Sequence, residues 1–152
     1  MTASLKKLIT SFFFVGYIPL IPGTFASLVG LFIYILLVKN LYILFFAHLI
    51  IVVLGFFLTG SVARAFNHRD PPQIVIDEVN GMLISFIGLP ILYLGRGGLI
   101  LAIGFIVFRL FDIIKPYPIN RLEQIKGSLG IMGDDIVAGI YTNLILRLIL
   151  SF

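Results

Sequence analysis

The sequence has no cysteine and no tryptophan, and charged residues make up only 12% of its 152 positions. Without cysteine the chain cannot form disulfides, thiolate metal sites or a cysteinyl-phosphate intermediate. Soluble domains contain about 25% charged and about 45–50% apolar residues, whereas 60% of this chain is hydrophobic. The composition therefore excludes an ordinary soluble domain and predicts a single membrane-embedded domain over residues 1–152.

Basic residues outnumber acidic ones by eleven to seven, which gives a formal net charge of +4. They are scattered among hydrophobic segments and form no basic stripe, so the sequence does not indicate a surface for nucleic acid. The anionic lipid of a bilayer is the partner that this distribution favours. Nothing in the sequence specifies an oligomeric state.

Long apolar segments predict an all-α integral membrane protein with about five transmembrane helices, because a spanning helix needs roughly 20 apolar residues. The predicted spans cover residues 24–38, 41–65, 74–94, 97–115 and 131–152. We expect Pro90 to interrupt the third of them near its end. Residues 8–22 are apolar but end in a proline-rich stretch, which predicts an interfacial or re-entrant helix. The alternative for this N-terminal region is a signal peptide, with Lys6 and Lys7 as its charged part.

The distribution of lysine and arginine predicts the orientation of these spans. If the N-terminus is cytoplasmic, seven basic residues lie in cytoplasmic segments and only Lys39 and Arg96 lie in outer loops. Cytoplasmic loops of membrane proteins carry this excess of positive charge. The seven are Lys6, Lys7, Arg64, Arg69, Lys115, Arg121 and Lys126.

Five of the seven acidic residues lie at the cytoplasmic ends of three predicted spans in this orientation. Clustered carboxylates repel one another unless protons or cations intervene, and hard oxygen ligands of this kind suit Mg²⁺. We therefore expect one or two magnesium ions here, whereas Asp70 and Glu123 are expected to be solvated loop acids. The five are Asp77, Glu78, Asp112, Asp134 and Asp135.

Two basic residues accompany these acids. Arg109 lies three residues before Asp112 and Lys115 lies three residues after it, so a helix places all three on one face. Guanidinium and ammonium groups both bind phosphate, so the combination predicts metal-assisted phosphoryl chemistry at the level of the lipid headgroups. Gly81 and Gly139 are expected to let neighbouring helices approach closely. Two structural roles are the alternatives to this chemistry. In the first, the paired acids only complement the dipoles of the helices that they begin. In the second, Arg109 and Asp112 form an ion pair that only stabilises the fold.

A cation transporter or channel is the alternative from another functional class, with the carboxylates lining an ion path. Such a path needs acids near the middle of the membrane or on both faces, and the outer half of the predicted topology has none. His48 and His68 lie outside the acidic cluster, which argues against a histidine-based phosphatase mechanism.

Four blocks of the sequence, taken together and in this order, resemble the phosphatidylglycerophosphatase A family over about residues 16–141. They are Pro22-Gly23-Thr24 with Ser27-Leu28; Ile76-Asp77-Glu78 with Gly81-Met82; Phe108-Arg109, Phe111-Asp112, Lys115-Pro116 and Pro118-Ile119; and Gly130-Ile131-Met132, Asp134-Asp135 and Ala138-Gly139.

The resemblance implies a multi-pass, Mg²⁺-dependent enzyme of the bacterial inner (cytoplasmic) membrane, with its active site at the cytoplasmic face. Its substrate would be phosphatidylglycerophosphate, which is hydrolysed to phosphatidylglycerol and phosphate. Direct attack by water and a phospho-aspartate intermediate are both compatible with this chemistry. The implied catalytic and metal-binding residues are Asp77, Glu78, Asp112, Asp134 and Asp135, and the implied phosphate-binding residues are Arg109, Lys115, Thr24 and Ser27.

Overall fold

The structure is a computed structural model that describes residues 1–89, 91 and 95–151, and within these residues all regular structure is helical. The prediction of an all-α protein is thus confirmed. The α-helices are α1 (Ala3–Thr10), α2 (Pro22–Leu37), α3 (Leu41–Ala65), α4 (Ile76–Phe86), α5 (Gly97–Ile114), α6 (Ile119–Leu122) and α7 (Ser128–Leu150), and a short 3₁₀ helix covers Val15–Tyr17.

Three of these helices, α3, α5 and α7, are long and apolar enough to cross a membrane. They match the predicted spans 41–65, 97–115 and 131–152, apart from Phe152, which lies outside the described residues. The surface of α3 shows why this region favours lipid, because large apolar side chains such as Tyr42 and Phe57 are about four-fifths exposed. An exposed apolar surface of this extent marks contact with a membrane or a partner.

The other two predicted spans contain shorter helices, so the count of five is not confirmed. Helix α2 has 16 residues and α4 has only 11, which gives α4 a length of about 16 Å against a hydrocarbon thickness of about 30 Å. Nine of the eleven α4 residues are buried, and α2, α3, α5 and α7 all pack against it. Helix α4 is therefore an internal helix. The predicted interruption at Pro90 lies outside the described residues.

The end of α4 is stabilised by two side chains of α7. Asn143 Nδ2 donates to the backbone carbonyls of Ile84, Ser85 and Ile87 at 3.0–3.2 Å, and Arg147 Nη2 donates to the Ile87 carbonyl at 3.0 Å. The last carbonyls of any helix lack partners within the helix and must find them elsewhere. These contacts explain how α4 can end inside the protein.

Helices α4 and α7 also approach each other closely at two glycines, as the sequence predicts. A Cβ atom added to Gly81 would lie 2.6 Å from the carbonyl oxygen of Asp135, and one added to Gly139 would collide with the carbonyl oxygen of Gly81. Backbones can approach this closely only where one residue lacks a side chain. The contact brings the first turns of α4 beside the part of α7 that carries Asp135.

The predicted interfacial segment, residues 8–22, does not form one continuous helix. Helix α1 ends at Thr10, and Phe12, Phe13 and Phe14 follow with φ angles of 45–68°. This left-handed region ends a helix because a Cβ atom crowds the backbone there. The carbonyl of Thr10 accepts a hydrogen bond from Val75 N at 2.9 Å, which ties α1 to the residue before α4. Interfacial placement of the segment stays a prediction.

Candidate active site

Three carboxylates from two helices meet at the first turn of α4 and about two turns into α7. Asp77, Glu78 and Asp135 each offer an oxygen atom, and these atoms all lie within 4.8 Å of one another. Asp77 is 4% exposed and Asp135 is 3% exposed. Each aspartate lies one helical turn before the glycine of the helix contact, Gly81 or Gly139, so the close approach of the helices brings the carboxylates together. We call Asp77, Glu78 and Asp135 the carboxylate core.

Several buried polar atoms at this site have no hydrogen-bond partner among the described residues. They include Asp77 Oδ1, Glu78 Oε2 and Arg109 Nε. An unpaired buried polar atom costs about 1–3 kcal/mol, and such atoms mark places where a ligand or ion supplies the missing contact. Clustered, buried carboxylate oxygens are hard ligands, so the core fits a divalent cation such as Mg²⁺.

Arg109 lies beside the core and is held by two groups. Its Nη1 atom forms an ion pair with the Asp112 carboxylate and lies 3.4 Å from Ser27 Oγ. The Ser27 hydroxyl in turn donates to the carbonyl of Gly23 at 2.8 Å. A Cβ atom added to Gly23 would collide with Glu78 Oε1 and lie 3.3 Å from Arg109 Nη1. The first turn of α2 therefore lies directly against the site.

Thr24 also belongs to this first turn and is half-buried. Its side chain has no hydrogen bond within the part of the chain that the structure describes. The structure thus brings Ser27 to Arg109 but records no such contact for Thr24, whose predicted role in phosphate binding stays a prediction.

Lys115 lies one residue after the end of α5, in the left-handed conformation with a φ of 47°. Its Nζ atom is 2.8 Å from Asp134 Oδ2 and 2.8 Å from Glu123 Oε1. Burial alone would lower the pKa of Lys115, but the hydrogen bonds to these two carboxylates hold it above its ordinary value. Glu123 is exposed, as expected for a solvated loop acid, and it also shares Lys115 with Asp134.

The five predicted acids thus divide into two groups. The carboxylate core contains three of them, whereas Asp112 pairs with Arg109 and Asp134 pairs with Lys115. We call these two pairs the ion-pair rim. Because Arg109 and Lys115 carry positive charge, they reduce the electrostatic repulsion that Asp112 and Asp134 would add to the core. The predicted row of Arg109, Asp112 and Lys115 is accordingly split between two pairs.

Asp70 is a further acid of this region that the sequence interpretation missed. It is half-buried in the loop between α3 and α4, and burial and then the negative charge of Asp134 raise its pKa to about 6. The expectation that it is a solvated loop acid is wrong for this reason. The sequence carries one indication of its position, because Pro71 and Pro72 follow it and stiffen the short connection to α4.

The raised pKa of Asp70 predicts a pH-dependent stability. The folded protein binds the proton of the Asp70 carboxyl more tightly than the unfolded chain does. The contribution of this proton to the free energy of unfolding is therefore complete below pH 3.8 and is lost as the pH rises through about 6. In the absence of divalent cations, Asp70→Asn should raise Tm above pH 6 and have less effect below pH 4. Thermal unfolding of both proteins in detergent across this range measures the difference. A Tm difference that is constant with pH would contradict the prediction.

The fold and the site together define a class of protein, namely an all-helical protein with long apolar helices and a buried group of carboxylates beside an arginine and a lysine. The chain belongs to the phosphatidylglycerophosphatase A family, whose profile matches residues 8–150. The resemblance inferred from the four sequence blocks is thereby confirmed. Membership makes the chain a phosphatase, an enzyme that hydrolyses a phosphomonoester.

Three relatives illustrate this membership. Phosphatidylglycerophosphatase A of Escherichia coli is 33% identical over 127 residues, which cover 82% of this chain and 72% of the relative. The protein of the same name from Haemophilus influenzae is 34% identical over 131 residues, which cover 83% of this chain and 77% of the relative. A Bacteroides thetaiotaomicron protein provisionally named phosphatidylinositol-3-phosphatase is 31% identical over 144 residues, which cover 91% of this chain and 89% of the relative. No solved structure matches the chain.

Proposed function

We propose that the protein is a Mg²⁺-dependent phosphatase that hydrolyses phosphatidylglycerophosphate to phosphatidylglycerol and inorganic phosphate. The observation that carries this proposal is the carboxylate core, whose buried oxygens on Asp77 and Glu78 lack partners, beside an arginine whose Nε is also free among the described residues. Two relatives are named for this substrate. The third is named for another lipid with a phosphomonoester on its headgroup, which supports the same reaction type.

Asp77, Glu78 and Asp135 are the residues that would hold the magnesium ion, because their oxygens converge and are buried. When bound, the ion supplies Lewis-acid polarisation of the phosphoryl oxygens and promotes ionisation of water. Asp112 and Asp134 lie outside this group of three and, in this proposal, orient Arg109 and Lys115.

Arg109 would bind the terminal phosphate through its unpartnered Nε, while Asp112 and Ser27 hold its Nη1. Water attacks phosphorus in line, the bond from phosphorus to the glycerol oxygen breaks, and a carboxylate accepts the proton of the water. The same carboxyl group then gives this proton to the departing glycerol oxygen, so the products are phosphatidylglycerol and inorganic phosphate. We infer direct attack by water, so an isotopically chiral phosphorus should invert its configuration. Retention would instead indicate a phospho-aspartate.

We further propose that the site lies at the cytoplasmic face of a bacterial inner membrane, in a multi-pass arrangement. The start of α7, the end of α5 and the basic residues of the adjoining loops all fall on this side in the orientation that the positive-inside rule favours. The ion-path alternative has less support, because Asp77 and Asp135 of the core are buried and the family is one of hydrolases.

The decisive experiment measures phosphate release from phosphatidylglycerophosphate by the purified full-length chain in detergent. We expect release with Mg²⁺, loss of release with EDTA, and recovery when Mg²⁺ is restored. Phosphatidylinositol 3-phosphate serves as the competing substrate and should give a lower kcat/KM. Absence of release from a folded sample would overturn the proposed activity, and EDTA-resistant release would overturn the magnesium requirement.

A substitution in α2 tests whether the first turn of this helix shapes the site. Gly23→Ala places a Cβ atom against Glu78 Oε1 and Arg109 Nη1, so kcat/KM should fall by about tenfold as these groups shift. Gly98→Ala is the matched control, because a Cβ atom there meets no atom within 4 Å. Equal activity of the two variants would show that Gly23 does not position Glu78 and Arg109.

A further inference from the structure

A cavity of about 510 Å³ lies between the end of α3 and the start of α7, separate from the carboxylate core. Its wall carries Arg64, Arg69 and Lys126, together with His68 and Gly127, and no acidic residue of the described chain lines it. The volume falls in the range of about 300–1,000 Å³ that is usual for small-molecule sites. The cavity is large enough for a phosphorylated headgroup and is lined by three basic side chains.

Among the described residues, no carboxylate forms an ion pair with the three cations of this cavity. Arg64, Arg69 and Lys126 are all exposed. Positive groups that line one cavity repel one another and are stabilised by an anion between them. Guanidinium and ammonium donors are well suited to the oxygens of a phosphate group.

The backbone around the cavity adds to this preference. Helix α7 begins here after Gly127, which has a φ of 86° and provides no side chain to cap the helix. Gly60 of α3 lets the helix start approach, because its amide donates to Ser128 Oγ at 2.9 Å and an added Cβ atom would lie 2.8 Å from that oxygen. Helix α7 has 23 residues, and the free amides at the start of a helix favour an anion nearby.

The cavity is a neighbour of the proposed catalytic site. Asp134 and Asp135 lie two turns along α7 from Ser128, a distance of about 10 Å along the helix axis. On the other side, Arg69 directly precedes Asp70, whose pKa is raised in part by the charge of Asp134. Helix α7 therefore contributes to both sites, to the cavity at its start and to the carboxylate core about two turns further on.

We propose that this cavity binds the phosphodiester group of the lipid substrate while the terminal phosphomonoester lies at the carboxylate core. This inference rests on the proposed function. One glycerol unit joins the two phosphates of such a headgroup. One helix links the two sites, because Gly127 directly before α7 lines the cavity and Asp135 within α7 belongs to the core. The cavity then contributes to substrate binding and takes no part in breaking the bond to the terminal phosphorus.

The kinetic test uses the double variant Arg64→Gln/Lys126→Gln of the full-length protein with phosphatidylglycerophosphate in mixed micelles. Loss of two charged donors should raise KM by about tenfold and leave kcat within about twofold. Arg121→Gln is the matched control, because Arg121 is a basic residue of the neighbouring connection that packs over the Tyr117 ring, 5.5 Å from its centroid. An equal rise of KM in this control would overturn the proposal in favour of general surface charge.

A binding test without turnover separates this proposal from the proposed function. Native mass spectrometry of metal-free protein in detergent counts retained phosphatidylglycerol, which has the diester but no terminal phosphate. Wild-type protein should retain this lipid and the double variant should lose it, whatever the activity of the wild type proves to be. Equal retention would overturn the proposal. Binding of inorganic phosphate by wild type but not by the double variant, with an unchanged KM for lipid, would identify a free-phosphate site and contradict it.

Discussion

Asp135→Asn should lower kcat/KM for phosphatidylglycerophosphate by at least about a thousandfold, since it removes a charged group from the centre of the proposed site. Asp135 is the only member of the carboxylate core on α7, and its oxygen completes the group formed with Asp77 and Glu78. An amide of nearly the same size keeps the packing but lacks the negative charge that holds a divalent cation. Phosphate release by the purified variant measures the effect.

The fold of this variant is checked by thermal unfolding with and without Mg²⁺. A ligand that binds only the folded state at a hundred times its Kd stabilises it by about 2.7 kcal/mol, so Mg²⁺ should raise the Tm of wild type more than that of the variant. Without Mg²⁺ the variant should be at least as stable, because one repulsive charge is gone. Glu123→Gln is the control, since Glu123 is 46% exposed and outside the core. Wild-type rates in Asp135→Asn would exclude this residue from the site.

Gly139→Ala should destabilise the protein by about 1–3 kcal/mol or more, although it adds only one methyl group. That group would collide with the carbonyl oxygen of Gly81, and it would also lie 3.0 Å from Ile84 Cβ. A backbone carbonyl in a helix cannot move aside as the end of a flexible side chain can, so α4 and α7 must separate. A lower Tm in detergent measures the loss of stability.

A glycine on the same helix provides the matched control. A Cβ atom added to Gly133 would have no neighbour nearer than Leu122 Cδ2 at 3.9 Å, so Gly133→Ala should be neutral or stabilise the helix by up to about 1 kcal/mol. Separation of α4 from α7 should also part Asp77 from Asp135, and the remaining folded Gly139→Ala protein should lose activity. Equal Tm values for the two variants would show that the helix contact tolerates a side chain.

Much of the chemistry of the site follows from the sequence because charge is scarce in an apolar chain. A carboxylate in such surroundings is costly unless something stabilises it, so the acids beside apolar segments were identifiable without coordinates. The spacing of Asp77 from Gly81 and of Asp135 from Gly139 likewise indicates which helix faces can meet. The family resemblance, carried by the order of these motifs, is a property of the sequence for the same reason.

The length and role of α4 depend on the tertiary structure. Hydropathy alone treats residues 74–94 as a span, because lipid and a protein interior are equally apolar and favour the same residues. The helix ends at Phe86 because Asn143 and Arg147, nearly sixty residues away, satisfy its last carbonyls. Periodicity within one segment contains no information about partners that distant along the chain.

The sequence by itself determined the class of fold, the apolar setting and the residue types that carry the chemistry, since these follow from composition and local spacing. Only the tertiary structure decided how the acids are grouped. It joins Asp77 and Glu78 with Asp135 and gives Lys115 to both Asp134 and Glu123. It also places Asp70 within the influence of Asp134. The reason is physical, because electrostatic interaction depends on distance in space and on burial, and neither quantity is contained in the order of residues along the chain.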